Sequence, residues 1–299
     1  MTGGAAVADA GEASSAVAAV PSPAPAGASP PTAAKPRVSR YVMPGEGSSV
    51  LTSLVTVAGF ILLWWVATHL GWVRPLFIPR PEAIWGAVRQ AVAGDLDNHT
   101  LWVHIGWSLV RVVSAFVLAV LTGIPIGLMM GMSRWARGLF DPPIEFYRPL
   151  PPLAYLPLMI IWFGIGELSK VLLIYLACFA PVALSARAGV RSASQEQINA
   201  ALSMGASRAQ VVRYVVMPSA LPEILVGLRI GMGVGWTTLV AAEMVAASAG
   251  LGQMVLNASN FLRTDVVMMG IIIIGVFAYL FELAMRQLER WLVPWKGKA

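Results

Sequence analysis

Ionisable side chains are rare inside the long apolar runs of this chain, so each one found there is a candidate for chemistry. Arg229 lies five positions into such a run, roughly 7–8 Å deep at 1.5 Å per residue. A charge at mid-helix costs about 2.5–3.5 kcal/mol, so this guanidinium must face a partner or an aqueous cavity. Two roles are open to it. It can form a positive wall for an anion in transit, or it can be a structural cation paired with a carboxylate, Glu145 and Glu223 being the candidates. Glu243 ends the same run ~21 Å further along the axis, too far for a pair within one helix. Arg111 opens another apolar run and reads as an interface anchor.

Other chemistries lack their residues. No Gly-x-x-x-x-Gly-Lys-Ser/Thr loop occurs, so the chain does not hold ATP by that route. His69, His99 and His104 have no Cys or carboxylate cluster at metal spacing, and His99 and His104 read as solvated loop residues. There is no Gly-x-Ser-x-Gly elbow, and the intramembrane charges are too few for a proton relay. The string Gly231-x-Gly233-x-Gly235 lies inside an apolar run and follows no strand, so it is no dinucleotide fingerprint. The single cysteine, Cys178, reads as a small buried hydrophobe. The expectation is a chain with no catalytic residue, no metal and no cofactor of its own.

Composition says where these residues sit. Of 299 residues, 57% are hydrophobic and 12% charged, with a mean hydropathy of +0.71. A soluble domain carries about 25% charged residues, so this is a membrane composition. Residues 1–48 are rich in Ala and Pro, bury too little apolar surface to order, and read as a disordered tail. Lys35, Arg37 and Arg40 come too late for a signal peptide. Residues 49–299 form the membrane domain, with spans expected at Val50–Leu70, Val112–Met132, Leu150–Gly166, Val171–Ala186, Ile224–Ala242 and Val266–Phe281. Glu82–Ala93 reads as an amphipathic surface helix.

Six spans leave both termini on one side. Placing them inside puts fourteen Lys and Arg in the cytoplasm, among them Lys35, Arg134, Arg148, Arg208 and Arg290. Five remain outside, namely Arg74, Arg80, Arg89, Lys170 and Arg263, and this bias favours cytoplasmic termini. The basic residues flank apolar runs, which speaks against nucleic acid. Gly123, Gly127 and Gly131 repeat every four residues, as do Gly227, Gly231 and Gly235, so each ridge marks where another helix lies against backbone. The first ridge reads as a static contact; the second is open between a static contact and one that moves.

Between two long apolar runs lies Asn199-Ala-Ala-Leu-Ser-Met-Gly205-Ala-Ser, followed by Val215-Val-Met-Pro218. Ala200, Ala201, Met204 and Gly205 fall at helical spacing, so a small-residue face is expected to seat in a partner's groove. Pro218 and Pro222 are expected to stop that helix and restart the chain as the fifth span. The string resembles the "EAA" loop of ABC importer permeases: Glu-Ala-Ala, three residues, Gly, nine residues, Ile-x-Leu-Pro. Asn199 stands where that family has Glu, which weakens any salt bridge to the ATPase there. The resemblance implies that residues 195–218, with Asn199, Ala200, Ala201, Met204, Gly205, Ala206 and Pro218, form the cytoplasmic coupling loop that docks on an ATPase.

The likeness extends over about residues 100–290. Phe146-Tyr147-Arg148-Pro149-Leu150-Pro151-Pro152-Leu153-Ala154, Pro157-Leu158, Ile161-Trp162-Phe163-Gly164-Ile165-Gly166 and Gly250-Leu251-Gly252 are similar to the nitrate/sulfonate/taurine importer permeases. The Tyr147 to Pro157 string and Pro294-Trp295 fall nearest that family's taurine branch. The resemblance implies an all-α membrane protein of about six spans with a type I importer permease fold. It also implies a second copy of the permease, two ATP-binding cassette subunits that burn the ATP, a periplasmic binding protein, and a bacterial inner-membrane location. Arg229, Trp236, Glu243 and Pro157 become candidates for the translocation path. The implied cargo is a small sulfonate, taurine first, with alkanesulfonate, nitrate or another small anion as the alternative. A self-sufficient secondary transporter would need coupling-ion sites and internal repeats, and neither is visible.

Overall fold

A computed structural model describes residues 50–94 and 99–295. The tail expected over 1–48 lies outside them. The chain divides into two units, Met1–Thr52 and Ser53–Ala299; of the first, only residues 50–52 are described, as the start of a helix. The described residues are helical throughout, with no strand.

Among the described residues, five helices are long and apolar enough to cross a membrane. They are α1 (Val50–His69), α3 (Leu101–Met132), α6 (Glu167–Val190), α9 (Met217–Ala246) and α11 (Thr264–Leu292). Between α1 and α3 lies the expected amphipathic helix, α2 (Pro81–Ala93), with Pro81 in its first turn and Gly94 closing it in the left-handed region at φ 86°. It buries Ile84, Ala87 and Ala91 against Leu101, Ile105 and Met269. After α3 come α4 (Arg134–Tyr147), a 3-10 turn (Pro152–Tyr155) and α5 (Leu156–Phe163).

The third expected span is therefore the short one. Pro152–Phe163 is apolar, but twelve residues rise only about 18 Å against a hydrocarbon core of ~30 Å. Prolines at 151, 152 and 157 and Gly164 at φ 79° bound it on both sides. Among the described residues the six expected spans are therefore five helices of full length and this one short apolar element.

One helix holds the rest together. A Cβ on Gly123 would lie 3.0 Å from Val182 Cγ1; one on Gly127 would collide with the Ala183 carbonyl and come 2.6 Å from Ala186 Cβ; one on Gly131 would strike Val190. The second ridge meets the same partner. A Cβ on Gly227 would strike Ser185, one on Gly231 would lie 3.1 Å from the Cys178 carbonyl, and one on Gly235 would lie 2.7 Å from Cys178 Sγ. Residue numbers rise together along α3 and α6 and run oppositely along α6 and α9. So α6 lies parallel to α3 and antiparallel to α9, and both glycine ridges close on it. In lipid, where apolar surface alone drives no helix together, such backbone approach is the main source of cohesion. Cys178 is fully buried there, as its apolar context suggests.

The chain is helical without a break from Arg208 to Ala246: α8 (Arg208–Val211), a π-helical turn (Val212–Val216), then α9. The expectation that Pro218 and Pro222 break the chain is corrected here. Pro218 sits in the first turn of α9, and the wider π turn before it takes up the bonding that a proline cannot supply. Pro222 follows within the helix. This unit of 39 residues is roughly 58 Å long at 1.5 Å per residue. It is nearly twice the depth of a bilayer core, so it extends well past the apolar layer.

Candidate functional site

The loop ahead of that long helix is built by two capping boxes. Ser194 Oγ accepts from Gln197 N (3.2 Å) and Gln197 Oε1 accepts from Ser194 N (3.1 Å), starting α7 (Gln195–Ser203). Ser207 and Gln210 repeat the arrangement at the start of α8. Both follow the Ser-x-x-Gln pattern, a signal present in the sequence that the motif-led expectation passed over. Gly205 ends α7 at φ 87°. Its N–H bonds the Leu202 carbonyl (2.9 Å) and the Ala206 N–H bonds the Ala201 carbonyl (3.1 Å), the paired bonds of a Schellman close.

This geometry corrects the expected small-residue face. Gly205 lies beyond the helix, and Ala201, with Ile198 and Ala206, packs inward on Ala193, Val211 and Val216. The outward surface consists of Asn199, Ala200, Leu202 and Met204, the last 83% exposed. Asn199 Oδ1 accepts from Gln195 Nε2 within the helix (3.0 Å). α7 is thus seated on α8 and the π turn by one face and open on the other.

At the far end of the bundle sits a buried ionic cluster. Arg111 Nε and Nη2 grip Glu167 (2.5 and 2.9 Å), while Nη1 donates to Glu243 (2.8 Å) and to the Ala249 carbonyl (2.6 Å). Lys170 Nζ donates to Glu167 (2.7 Å) and Ser108 Oγ to Glu243 (2.7 Å). Glu243 also accepts from Gly252 N (2.9 Å) at the start of α10 (Leu251–Asn260), whose dipole favours a carboxylate there. Gly250 is required: a Cβ would lie 2.5 Å from Glu243 Oε1. Two cations and two anions balance. Two expectations change. Arg111, 2% exposed, is no interface anchor but the hub of the cluster. His104 is not solvated but buried, its Nδ1 3.0 Å from the Gly250 backbone. Lys170, expected on the outer side, is buried in the cluster.

Arg229 has a partner, but neither expected one. Its Nε lies 2.9 Å from Glu282 on α11, whose Oε1 also accepts from Arg286 Nε (2.9 Å). Glu145 instead lies 3.9 Å from Arg187, which also pairs with Asp141. Arg229 and Trp236 line one groove between α9 and α11; Trp236 packs edge-on against Phe281 (5.6 Å between ring centres). Glu243 belongs to the ionic cluster and Pro157 is exposed on α5, so the four path candidates do not share one cavity.

A further cavity lies elsewhere. About 440 Å³ in volume, it lies between the proline-rich segment after α4 and the faces of α6 and α9, with Tyr147, Arg148, Tyr155 and Ser185 in its wall. The Tyr147 hydroxyl donates to the Leu176 carbonyl (3.4 Å), and burial pushes its phenol pKa up, so it stays a neutral donor. Among the described residues no group of three or more His, Cys, Asp or Glu is placed to hold a metal ion.

Residues 123–294, more than half the chain, match the model of the family described as "Binding-protein-dependent transport system inner membrane component". The chain belongs to this family. It is an importer permease subunit of the inner membrane, built to work with ATPase and binding-protein partners rather than to hydrolyse ATP. The chain is 55% identical over 251 residues to the taurine transport system permease protein TauC of Escherichia coli (strain K12), covering 83% of this chain and 91% of that one. It is 34% identical over 237 residues to that organism's putative aliphatic sulfonates transport permease protein SsuC, covering 79% and 89%. In fold, the permease is similar to inward-facing MetNI methionine ABC transporter structures. The TM-score is 0.57 at 19% identity, over 64% of this chain and 97% of that one. The expected type I importer permease fold is therefore the fold of this chain.

Proposed function

We propose that this permease carries a small sulfonate, taurine first, into the cell through an assembly of two permease copies, two ATPase subunits and a periplasmic binding protein. Both termini face the cytoplasm, as the Lys and Arg distribution favours. The observation that supports the mechanism is the unbroken helix from Arg208 to Ala246. An ATPase that holds the outward face of α7 grips the lower end of a rod whose upper end, Glu243, is tied to α3 and α10. Closure of the nucleotide-burning partner then tilts that rod and alternately opens the path on either side. Support for taurine comes from the likeness to the TauC protein. The sulfonate group stays ionised at neutral pH and suits cationic side chains, while the ammonium at the other end of taurine makes the whole molecule a zwitterion.

Deleting the gene and growing cells on taurine as sole sulfur source tests the substrate, with the assembled importer purified to show a co-purifying ATPase. Growth and uptake are expected to vanish and to return with the gene. Unchanged taurine uptake in the deletion strain overturns the substrate. The same assay with alkanesulfonates and nitrate covers the second reading, whose alkanesulfonate part the likeness to the SsuC protein supports.

A further inference from the structure

We infer that the cavity behind the proline-rich segment is an anion-binding station inside the membrane domain, where the sulfonate group is held during passage by Arg148, Tyr155 and Ser185. The inference rests on the sulfonate reading above and gives that cargo a place in this chain.

Four observations converge on it. Arg148, Tyr155 and Ser185 come from three separate elements, namely the end of α4, the 3-10 turn and α6, and all line the same cavity. None of the three side chains has a hydrogen bond or ion pair with another described residue. A guanidinium and two hydroxyls thus line the cavity with no acceptor assigned to them, whereas described cations on the long apolar helices are neutralised: Arg111 and Lys170 by Glu167 and Glu243, Arg229 by Glu282. No Asp or Glu lines the cavity, so its only formal charge is positive. Apart from Tyr147, whose hydroxyl is bonded to the Leu176 carbonyl, the rest of the wall is apolar side chain, including Ala177, Ala180 and Ile230, suited to a short carbon chain.

The chemistry matches a sulfonate. Its three oxygens accept hydrogen bonds and carry one negative charge, and Arg supplies paired donors of fixed geometry to such a group. A cavity of about 440 Å³ lies at the small end of ligand sites and accommodates a molecule of few heavy atoms. Along α6 the lining runs from Leu176 to Ala188, toward the end from which α7 departs. The station therefore lies between the ionic cluster and the coupling loop along α6.

Arg148 is exposed at the end of α4, so changing it removes a charge without opening a packed core. The test uses the purified permease–ATPase complex without binding protein, with labelled taurine as probe. Saturable binding is expected, displaced by isethionate, which keeps the sulfonate, and not by ethanolamine, which lacks it. Arg148→Gln should weaken binding roughly tenfold or more, and Tyr155→Phe and Ser185→Ala each about three- to fivefold. Arg148→Lys should recover part of the loss. Absence of saturable binding in the wild-type complex, displacement by ethanolamine as readily as by isethionate, or wild-type binding by Arg148→Gln overturns the station. Uptake by the complete importer in vesicles separates this from the cargo: loss of taurine transport in the wild type sinks the sulfonate reading, whereas intact transport without binding sinks the station alone. In vesicles, Arg148→Gln is expected to keep ATP hydrolysis stimulated by loaded binding protein while moving less taurine per ATP; an unchanged ratio also overturns the station.

Discussion

Arg111 and Glu243 lie 132 positions apart in the chain, yet their side chains meet at 2.8 Å, both almost wholly buried. The pair joins α3 to the end of α9, and Glu167 and Lys170 extend it to α6, so all three helices of the central stack are fastened at one end. Removing one member of a buried pair leaves an uncompensated charge.

Glu243→Ala or Arg111→Ala is therefore expected to destabilise the permease by about 3–5 kcal/mol. The double variant should lose less than the sum, because neither charge is then stranded. Thermal unfolding of the detergent-solubilised complex measures this. Additive losses would show that the two side chains do not depend on one another.

Gly127 and Gly233 make a matched comparison on membrane helices. A Cβ at 127 would run into the Ala183 carbonyl, while one at 233 meets nothing within 4 Å. Gly127→Ala should cost about 1–3 kcal/mol through overpacking, and Gly233→Ala should be neutral or stabilise by up to ~1 kcal/mol. Equal melting temperatures for the two variants would contradict the stacking of α3 on α6.

Gly205 carries the left-handed turn that closes α7. Gly205→Ala should cost roughly 1 kcal/mol locally and reduce uptake. Gly205→Asp adds a negative charge at the negative end of the helix and should abolish uptake while membrane levels stay normal. Wild-type uptake by the Asp variant would remove α7 from the coupling mechanism.

Ser194→Ala and Ser207→Ala each delete a cap worth about 1 kcal/mol. Both caps are exposed and distant from the ionic cluster, so melting of the membrane domain should hardly change. ATPase stimulation by loaded binding protein should fall in both, since the docking helix frays. Full stimulation in the double variant would argue that α7 need not be helical to engage its partner.

The Arg229–Glu282 pair, 37% and 29% exposed, should contribute little. Arg229→Gln is expected to change stability by less than ~1 kcal/mol. A large loss of uptake with unchanged stability would assign Arg229 to the path instead of to α11.

Much of this architecture was visible in the residue order because membrane packing obeys simple spacing rules. Glycines four apart must lie on one face, and in lipid such a face is an interface. What spacing could not supply was the identity of the partner, so two ridges on two helices gave no hint that α6 receives both. The same limit explains the ionic cluster. Arg111, Glu167, Lys170 and Glu243 each stand near the end of an apolar run, and a comparison of depth could have grouped them; taken singly, Arg111 looked like an anchor. Glu145 and Glu223 are the expected partners for Arg229, but the carboxylate that reaches it is on α11. The loop motif located α7 correctly but not its outward side, since Ala201 matches the motif and still turns inward on Val211 and Val216. Pro218 misled for a local reason: a proline in the first turn of a helix breaks nothing when a π turn precedes it.

With glycine ridges pressed on both flanks, α6 has no slack to slide past either neighbour, since side-chain-free backbone is already in contact on each side. The trio α3, α6 and α9 is in effect laminated. On the proposed mechanism, a push at α7 moves that laminate as a whole and reappears as displacement at its outer edges, where α11 and the short α5 lie against it. Those seams, not the middle of the stack, are where disulfide cross-links should halt transport.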